Sequence, residues 1–380
     1  MRNYPKTILI LNGHKYVTRF FLPIADVAKN NNFEVDLFIP KKSADLTFAK
    51  NFFSNIFFFN FNRTSLNIFS FFYSIVSFVA KDFKTYEVIH AVSTKVILIF
   101  MLSTIFPLKR LKNKIIIFHF IGLGRLLSNN KGFGKLLRFM MKILTKFLPK
   151  KNSYKIIYLN EEDGLILKSI FPHHKFKFSK IMGAGVDTNK FSYFEREAKR
   201  PINILFIGRL IKEKGLEVCI KICEKLKKNF DKKFIVNIVG SFEDLKYKEK
   251  IFEKVSKSSI KNEINFIGEV ENPLVNYNSA DLLLFPSNYG EGVPTVILEA
   301  LSTGLPTIAS DISGCKEVIK DDFNGYLIEI TDIEKWCHKI IYLIENNEKY
   351  KYLSINGRET VKESFKISHL AKKTVRLYLS

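Results

Sequence analysis

The sequence has little from which to build a covalent staple or a metal centre. Its 380 residues hold four cysteines. Cys219 and Cys223 stand four apart on an expected helix, so both should face a core; Cys315 and Cys337 stand alone. No pairing with His has metal-ligand spacing. A disulfide framework and a zinc site are therefore excluded, and a reducing cytoplasmic compartment fits. A secretory signal is also missing. Thr7–Leu11 is an apolar run behind a basic start, too short for a secretory core and suited to a first buried strand. Thr64–Ala80 has no charge and many Phe, yet it includes Ser, Thr, Asn and Tyr and is slightly short for a membrane span. It reads as a helix packed in the first domain or lying against a membrane. Zinc fingers, helix-turn-helix patterns and RNA-binding signatures are absent as well.

Acidic residues are scarce in one half of the chain. Residues 1–190 hold 30 Lys and Arg against 10 Asp and Glu, a net of +20, while residues 191–380 hold 30 against 27, a net of +3. Such a field favours an anionic partner: nucleic acid, anionic lipid or a phosphorylated substrate. Drift toward Lys would touch both halves alike and does not explain the asymmetry.

What is abundant is apolar sequence, 47% of the chain, enough for two cores at this length. The apolar runs alternate with helix-like segments, the pattern of parallel α/β sheets. Expected strands in the first half are Thr7–Leu11, Glu34–Ile39, Asn55–Phe59, Val88–Ala91, Ile115–His119 and Lys155–Leu159. After Asp187–Phe191 the chain turns charged through Glu195–Arg200, the expected linker. A second series follows: Asn203–Gly208, Phe234–Gly240, Ile264–Ile267, Leu282–Phe285, Thr307–Ala309 and Gly325–Ile328. The last segment, Ile367–Leu379, is expected to be helical.

The most informative stretch is Tyr289–Ser310. Pro294 suits the first position of a helix, Gly304 lies just past its end, and Pro306 follows. The segment reads as loop, short helix, tight turn and buried strand. Glu291 lies in the loop and Glu299 inside the helix. Between them the helix start offers N–H groups and the positive end of its dipole, an anion site. A carboxylate on each side of an anion site suits a nucleotide sugar, which has hydroxyls on both sides of its diphosphate.

This stretch resembles the E-x7-E motif of family 4 retaining glycosyltransferases. The flanks Phe285-Pro-Ser287 and Ala309–Ile319 are similar to that family too. The resemblance implies an α/β, GT-B fold: two doubly wound Rossmann-like domains with an interdomain cleft. Residues 1–190 would bind the acceptor, residues 200–365 would bind the nucleotide sugar, and residues 366–380 would cross back to the first domain. The segment Phe206–Gly215 resembles the family's strand end in which a Gly-Arg and a Lys-Gly bind the donor diphosphate; here these are Arg209 and Lys214, with Lys212 off the pattern. Fixed cations stabilise the charge that appears as the leaving diphosphate departs. Glu299 would then accept from the ribose hydroxyls, and Glu291 would face the transferred sugar. The backbone of Gly292, Val293, Pro294 and Thr295 would meet diphosphate or sugar. Phe266-Ile-Gly268 resembles the strand lining the base pocket. Gly13 stands in the first strand–helix loop, where many members carry a glycine pair near the diphosphate; this chain has one glycine there.

Tyr86–His90, Ser93-Thr-Lys95 and Phe118–Gly124 resemble the branch that builds lipid-linked or cell-surface bacterial glycans. In many members a His near the position of His119 contacts the donor sugar, while His90 reads as structural. Lys131, Lys135, Arg138, Lys142 and Lys146 share one helix face and Leu136–Phe147 fill most of the rest, making a basic amphipathic helix. It either lies on an anionic leaflet or packs its apolar side on the sheet.

The expected reaction moves a hexose or N-acetylhexosamine from a UDP-sugar, with retention, to a lipid-diphosphate-linked or polysaccharide acceptor in capsule, O-antigen or related glycan synthesis. No cofactor and no metal is expected, because side-chain cations take the ion's place. Expected partners are the nucleotide-sugar donor, the glycan acceptor and the anionic inner membrane surface, with no nucleic acid. A cytoplasmic enzyme on the inner face of the cell membrane follows. The alternatives are a GT-B UDP-sugar epimerase, or a non-catalytic basic protein that binds membrane or nucleic acid. Retention of Glu291, Glu299, Arg209 and Lys214 argues for an active enzyme.

Overall fold

Alternating apolar runs become parallel strands in both halves of the chain. The structure, a computed structural model, describes residues 4–13, 20–41, 47–60, 68–105, 111–123, 127, 132–183, 185–196, 201–230, 233–290 and 292–379, the side chains of 47, 48 and 68–71 excepted. The chain divides into two units, Met1–Ala184 with Ile367–Ser380, and Gly185–Lys366.

The first unit runs β1 (Lys6–Ile10), α1 (Leu22–Asn30), β2 (Glu34–Pro40), β3 (Ile56–Phe59), α2 (Ile68–Ala80), β4 (Val88–Val92), α3 (Thr94–Ser103), β5 (Ile115–His119), α4 (Phe133–Phe147), β6 (Ser153–Tyr158), α5 (Glu161–Ile170) and β7 (Phe176–Lys180). Its sheet order is β3-β2-β1-β4-β5-β6-β7, with every neighbouring pair parallel. Alternate side chains of each strand face opposite sides, so both faces need cover. Ile8, Ile10, Ile89, Ala91, Ile116 and Phe118 join one core with α3. Leu9, Val35, Leu37, Val88 and Ile117 join the other, together with α1 and the terminal helix Ile367–Leu379. That helix packs along α1. Buried Lys155 holds it by donating from Nζ to the Leu377 carbonyl at 2.6 Å, a cation at a helix C-terminus.

The second unit runs β8 (Ile202–Ile207), α6 (Leu216–Asn229), β9 (Phe234–Val239), α7 (Leu245–Ser256), β10 (Ile264–Gly268), α8 (Leu274–Ser279), β11 (Leu282–Phe285), α9 (Thr295–Ser302), β12 (Thr307–Ser310), α10 (Ser313–Lys316), β13 (Tyr326–Ile328), α11 (Ile333–Glu345) and α12 (Asn347–Ser364). The order β10-β9-β8-β11-β12-β13 is again all parallel. Both units are Rossmann-like and doubly wound. Cys219, Cys223, Cys315 and Cys337 are all buried, and none is in a disulfide. The segment after Gly185 belongs to this unit, ahead of the boundary expected at residue 190. Val186 N–H donates to the Phe365 carbonyl, and Arg358 donates to the carbonyls of Thr188 and Phe191. Linker residues 197–200 lie outside the described residues.

In each sheet the strand order reverses once, between β1 and β4 and between β8 and β11. Loops at the carboxyl ends of those strand pairs part in opposite directions and leave a crevice, the usual ligand position in such sheets.

Candidate active site

At the β8/β11 reversal, two loops are locked together by backbone contact. Gly215 follows a short 3-10 turn, Lys212–Lys214, with φ of +79°, and a Cβ there would lie 1.8 Å from the Pro286 carbonyl oxygen. Asn288 N–H donates to the Glu213 carbonyl at 2.8 Å, and the Ser287 hydroxyl donates to the same oxygen at 3.4 Å. The loop after β8, which carries Arg209 and Lys214, is thereby held against the loop leading to α9.

The Tyr289 ring is a neighbour of both cations. The Arg209 guanidinium carbon lies 5.5 Å and Lys214 Nζ 5.3 Å from the centroid of its ring, and Lys214 is also 5.4 Å from the Phe285 ring. The ring faces attract both charges and keep them close, so an anion arriving between them would relieve their repulsion. Burial opposes the Arg209 charge. Glu243, 3.3 Å away, and the Tyr289 hydroxyl more than offset that, and the guanidinium is held above its ordinary value.

Glu299 lies on α9, buried, where its Oε2 accepts from the buried Tyr277 hydroxyl at 2.8 Å. Arg196 fixes the backbone below: it donates to the carbonyls of Tyr277, Ala280 and Thr303 at 2.7–2.8 Å. Helix α9 starts one residue later than the sequence suggests. Pro294 is the cap, with ψ of 113°, and its carbonyl accepts from Ile297 and Leu298. Proline's fixed φ suits either position, and the extended ψ turns the chain out of the loop. Gly292, buried Val293 and Thr295 surround this start. Glu291 lies outside the described residues.

Three adjacent strands of this sheet have a glycine at or just past their carboxyl ends: Gly208, Gly240 and Gly268. A Cβ at Gly240 would lie 1.8 Å from the Gly208 carbonyl oxygen, whereas one at Gly208 or Gly268 would meet nothing within 4 Å. These three glycines make a shelf beside Arg209 that carries no side chain of its own, which suits a flat ligand.

In the first unit, His119 ends β5 and is buried, as is His90 on β4. Their rings stack at 5.3 Å with an 11° interplanar angle. Gly13 follows β1 with open space around it; residues 14–19 lie outside the described residues.

The pattern reading missed Tyr277, Tyr289 and Glu243. Tyr289 had a signal, an aromatic directly before Gly-Glu-Gly. The glycine shelf had one too, since each glycine directly follows an Ile or Val of an apolar run: Ile207, Val239 and Ile267. Tyr277 and Glu243 had none, because each meets its partner through the fold.

Residues 187–360 match the family described as Glycosyl transferases group 1. An uncharacterized glycosyltransferase of Methanocaldococcus jannaschii is 29% identical over 73% of this chain and 70% of its own length. A UDP-Gal:alpha-D-GlcNAc-diphosphoundecaprenol alpha-1,3-galactosyltransferase of Escherichia coli is 28% identical over 64% of this chain and 65% of its own length. Among solved structures, Anabaena HepE in complex with UDP and glucose superposes with a TM-score of 0.76 at 14% identity, covering 100% of both chains.

Proposed function

We propose, for a chain that residues 187–360 make a group 1 glycosyltransferase, that it is a retaining enzyme. It moves a hexose or N-acetylhexosamine from a UDP-sugar to a lipid-diphosphate-linked or polysaccharide acceptor of a bacterial surface glycan. The observation that carries this reading is the pair of cations on Tyr289 at the strand-order reversal, beside the start of α9. Arg209, Lys214 and the backbone of Gly292, Val293, Pro294 and Thr295 hold the diphosphate. Glu299, oriented by Tyr277, accepts from the ribose, and the glycine shelf takes the base. Glu291 contacts the transferred sugar; in the first unit His119 is assigned a sugar contact, and Gly13 leaves the backbone after β1 open to a phosphate group. The sugar's C1–O bond to phosphate breaks and the acceptor hydroxyl attacks C1 on the same face. Its proton passes to the departing phosphate oxygen, which keeps the electron pair as part of UDP. The UDP complex of HepE and the printed donor and acceptor of the E. coli relative support the donor and acceptor classes.

No metal is required in this scheme, because Arg209 and Lys214 neutralise the leaving group and residues 191–380 contain no Asp-x-Asp motif. Calorimetric titration with UDP in excess EDTA is the test. Binding should be the same with and without chelator; binding that needs an added divalent ion would contradict the scheme.

The acceptor's lipid implies a membrane surface, and α4 supports one. Leu137, Met141 and Leu144 face the core, while Phe133, Leu136, Phe139, Ile143 and Phe147 are exposed beside Lys135, Lys142 and Lys146. Arg138 is withdrawn from the basic stripe, because its Nε donates to the Leu127 carbonyl at 2.7 Å; Lys131 lies outside the described residues. Helices α2 and α4 both pack on α3, and α2 exposes Phe72, Tyr73 and Val76. Apolar and basic stripes side by side suit an anionic leaflet better than water. Among the described residues no helix is long and apolar enough to cross a membrane. Co-sedimentation with anionic liposomes is therefore expected to weaken with salt. Changing Lys135, Lys142 and Lys146 to Glu should weaken it about a hundredfold or more, at ~1 kcal/mol per lost cation. Phe133, Phe139 and Phe147 changed to Ser should weaken it independently. Equal binding to neutral and anionic vesicles, or none to either, would refute docking.

A further inference from the structure

We propose that Tyr378 and His90 are positioning residues. They polarise a hydrogen-bond chain through His119, so that His119 Nε2 presents a fixed N–H to a neutral sugar oxygen. The inference rests on the reading of His119 as a sugar contact and adds the direction of that contact and the groups that set it.

The chain is short and enclosed. The Tyr378 hydroxyl lies 2.8 Å from His90 Nδ1, and His90 Nε2 lies 3.2 Å from His119 Nδ1. All three side chains are buried, and Phe21 meets both imidazoles edge-on at 6.0–6.1 Å. Both rings are neutral. Burial pushes His119 down to about 3, and burial with the neighbouring His119 pushes His90 well below its ordinary value. A neutral imidazole has one N–H and one lone pair, so each ring must donate at one nitrogen and accept at the other. The two rings in series therefore have two consistent directions.

Tyr378 selects between them. Burial pushes its hydroxyl far up, so it keeps its proton. Either direction leaves one buried proton unpaired, the His119 Nε2–H in one and the Tyr378 O–H in the other. A phenol is a stronger donor than an imidazole N–H, and an imidazole nitrogen is a stronger acceptor than a phenol oxygen, so the lower-energy direction is the one that pairs the hydroxyl proton. The hydroxyl therefore donates to His90 Nδ1. His90 then carries its proton on Nε2 and donates to His119 Nδ1, and His119 carries its proton on Nε2. That last nitrogen is buried without a hydrogen-bond partner among the described residues. The chain ends in a donor awaiting an oxygen. A ring held in this state donates; it does not abstract a proton.

Two further observations agree. Ser93, at the carboxyl end of β4, donates its N–H to the His119 carbonyl at 2.9 Å, and its buried hydroxyl also lacks a partner among the described residues. Its φ of 79° and ψ of 149° lie near a region that glycine favours, strain of the kind found at ligand sites. The two unmet polar groups thus share the neighbouring ends of β4 and β5, next to the first sheet's reversal. At the other end of the chain, the Lys155–Leu377 bond and the Phe33 ring, 5.7 Å from Tyr378, hold the tyrosine in place.

Nitrogen-15 NMR of the histidine side chains in the full-length protein reads the tautomers directly and needs no substrate. His90 and His119 should both be protonated on Nε2. In Tyr378→Phe a population protonated on Nδ1 should appear at both. Nδ1 protonation in the unaltered protein, or no change in Tyr378→Phe, would overturn the proposal. Kinetics separates it from the sugar-contact reading. Tyr378→Phe should lower kcat about tenfold, the size of one hydrogen bond, with thermal midpoint and KM little changed. In a His119→Gln background it should have no further effect. If His119→Gln leaves turnover unchanged, the sugar contact itself fails. If His119→Gln is slow but Tyr378→Phe is without effect, or adds to it in full, the relay fails.

Discussion

Replacing Arg209 by Ala is expected to lower kcat for sugar transfer about a hundred- to a thousandfold, the loss typical of removing one fixed donor from a developing negative charge. Stability should hardly change, because the side chain is 41% exposed and its Glu243 partner 53% exposed, and such pairs contribute little. Lys214→Ala should behave alike. Arg209→Lys should recover only part of the loss, because an ammonium cannot grip two phosphate oxygens at once. Glu299→Gln should act differently: it keeps the packing and the Tyr277 hydrogen bond but removes the charge that accepts from the ribose, so KM should rise along with the fall in kcat. Steady-state kinetics on folded variants decides. Wild-type-like transfer by Arg209→Ala would remove the diphosphate from this loop.

The second large effect is structural. Gly215→Ala would drive a methyl group into the Pro286 carbonyl oxygen, 1.8 Å from its position, at a φ of +79° that other residues resist. Backbone on backbone leaves no side chain to yield. We expect a loss of about 3 kcal/mol or more in unfolding free energy, and loss of transfer even where the protein stays folded, since Lys214 and Tyr289 flank the contact. Gly13→Ala is the contrast: its Cβ would meet nothing within 4 Å, and thermal stability should be unchanged. Thermal melts of both variants check this; an unshifted midpoint in Gly215→Ala would show that the two loops are not locked.

Much of the fold was legible because both sheets are parallel and covered on both faces, so their strands are continuous apolar runs. Ile115–His119 and Leu282–Phe285 coincide with the expected segments, and the other expected strands differ by a residue or two at their ends. β7 escaped detection. Phe-Lys-Phe-Ser-Lys at 176–180 alternates because it is an edge strand, and most of it is only partly buried. The candidate site could be proposed from sequence where its parts are contiguous, as in Arg209–Gly215 and Gly292–Glu299. Contacts made by distant segments could not. Nothing near Glu299 announces Tyr277, and His90 reads as a packed residue until Tyr378, 288 positions away, closes on its ring. The exposed stripe on α4 was hidden for another reason. Periodicity shows an apolar face without showing how much of it the sheet covers.

The most direct test of the central claim is transfer itself. Purified protein, a lipid-diphosphate-linked acceptor and each radiolabelled nucleotide sugar in turn should place label in the lipid fraction for at least one UDP-sugar, with release of UDP. The product should keep the donor's anomeric configuration, and Arg209→Ala should lose the signal. Label that stays on the nucleotide as an epimerised sugar, or no turnover and no UDP release with any donor, would contradict the account.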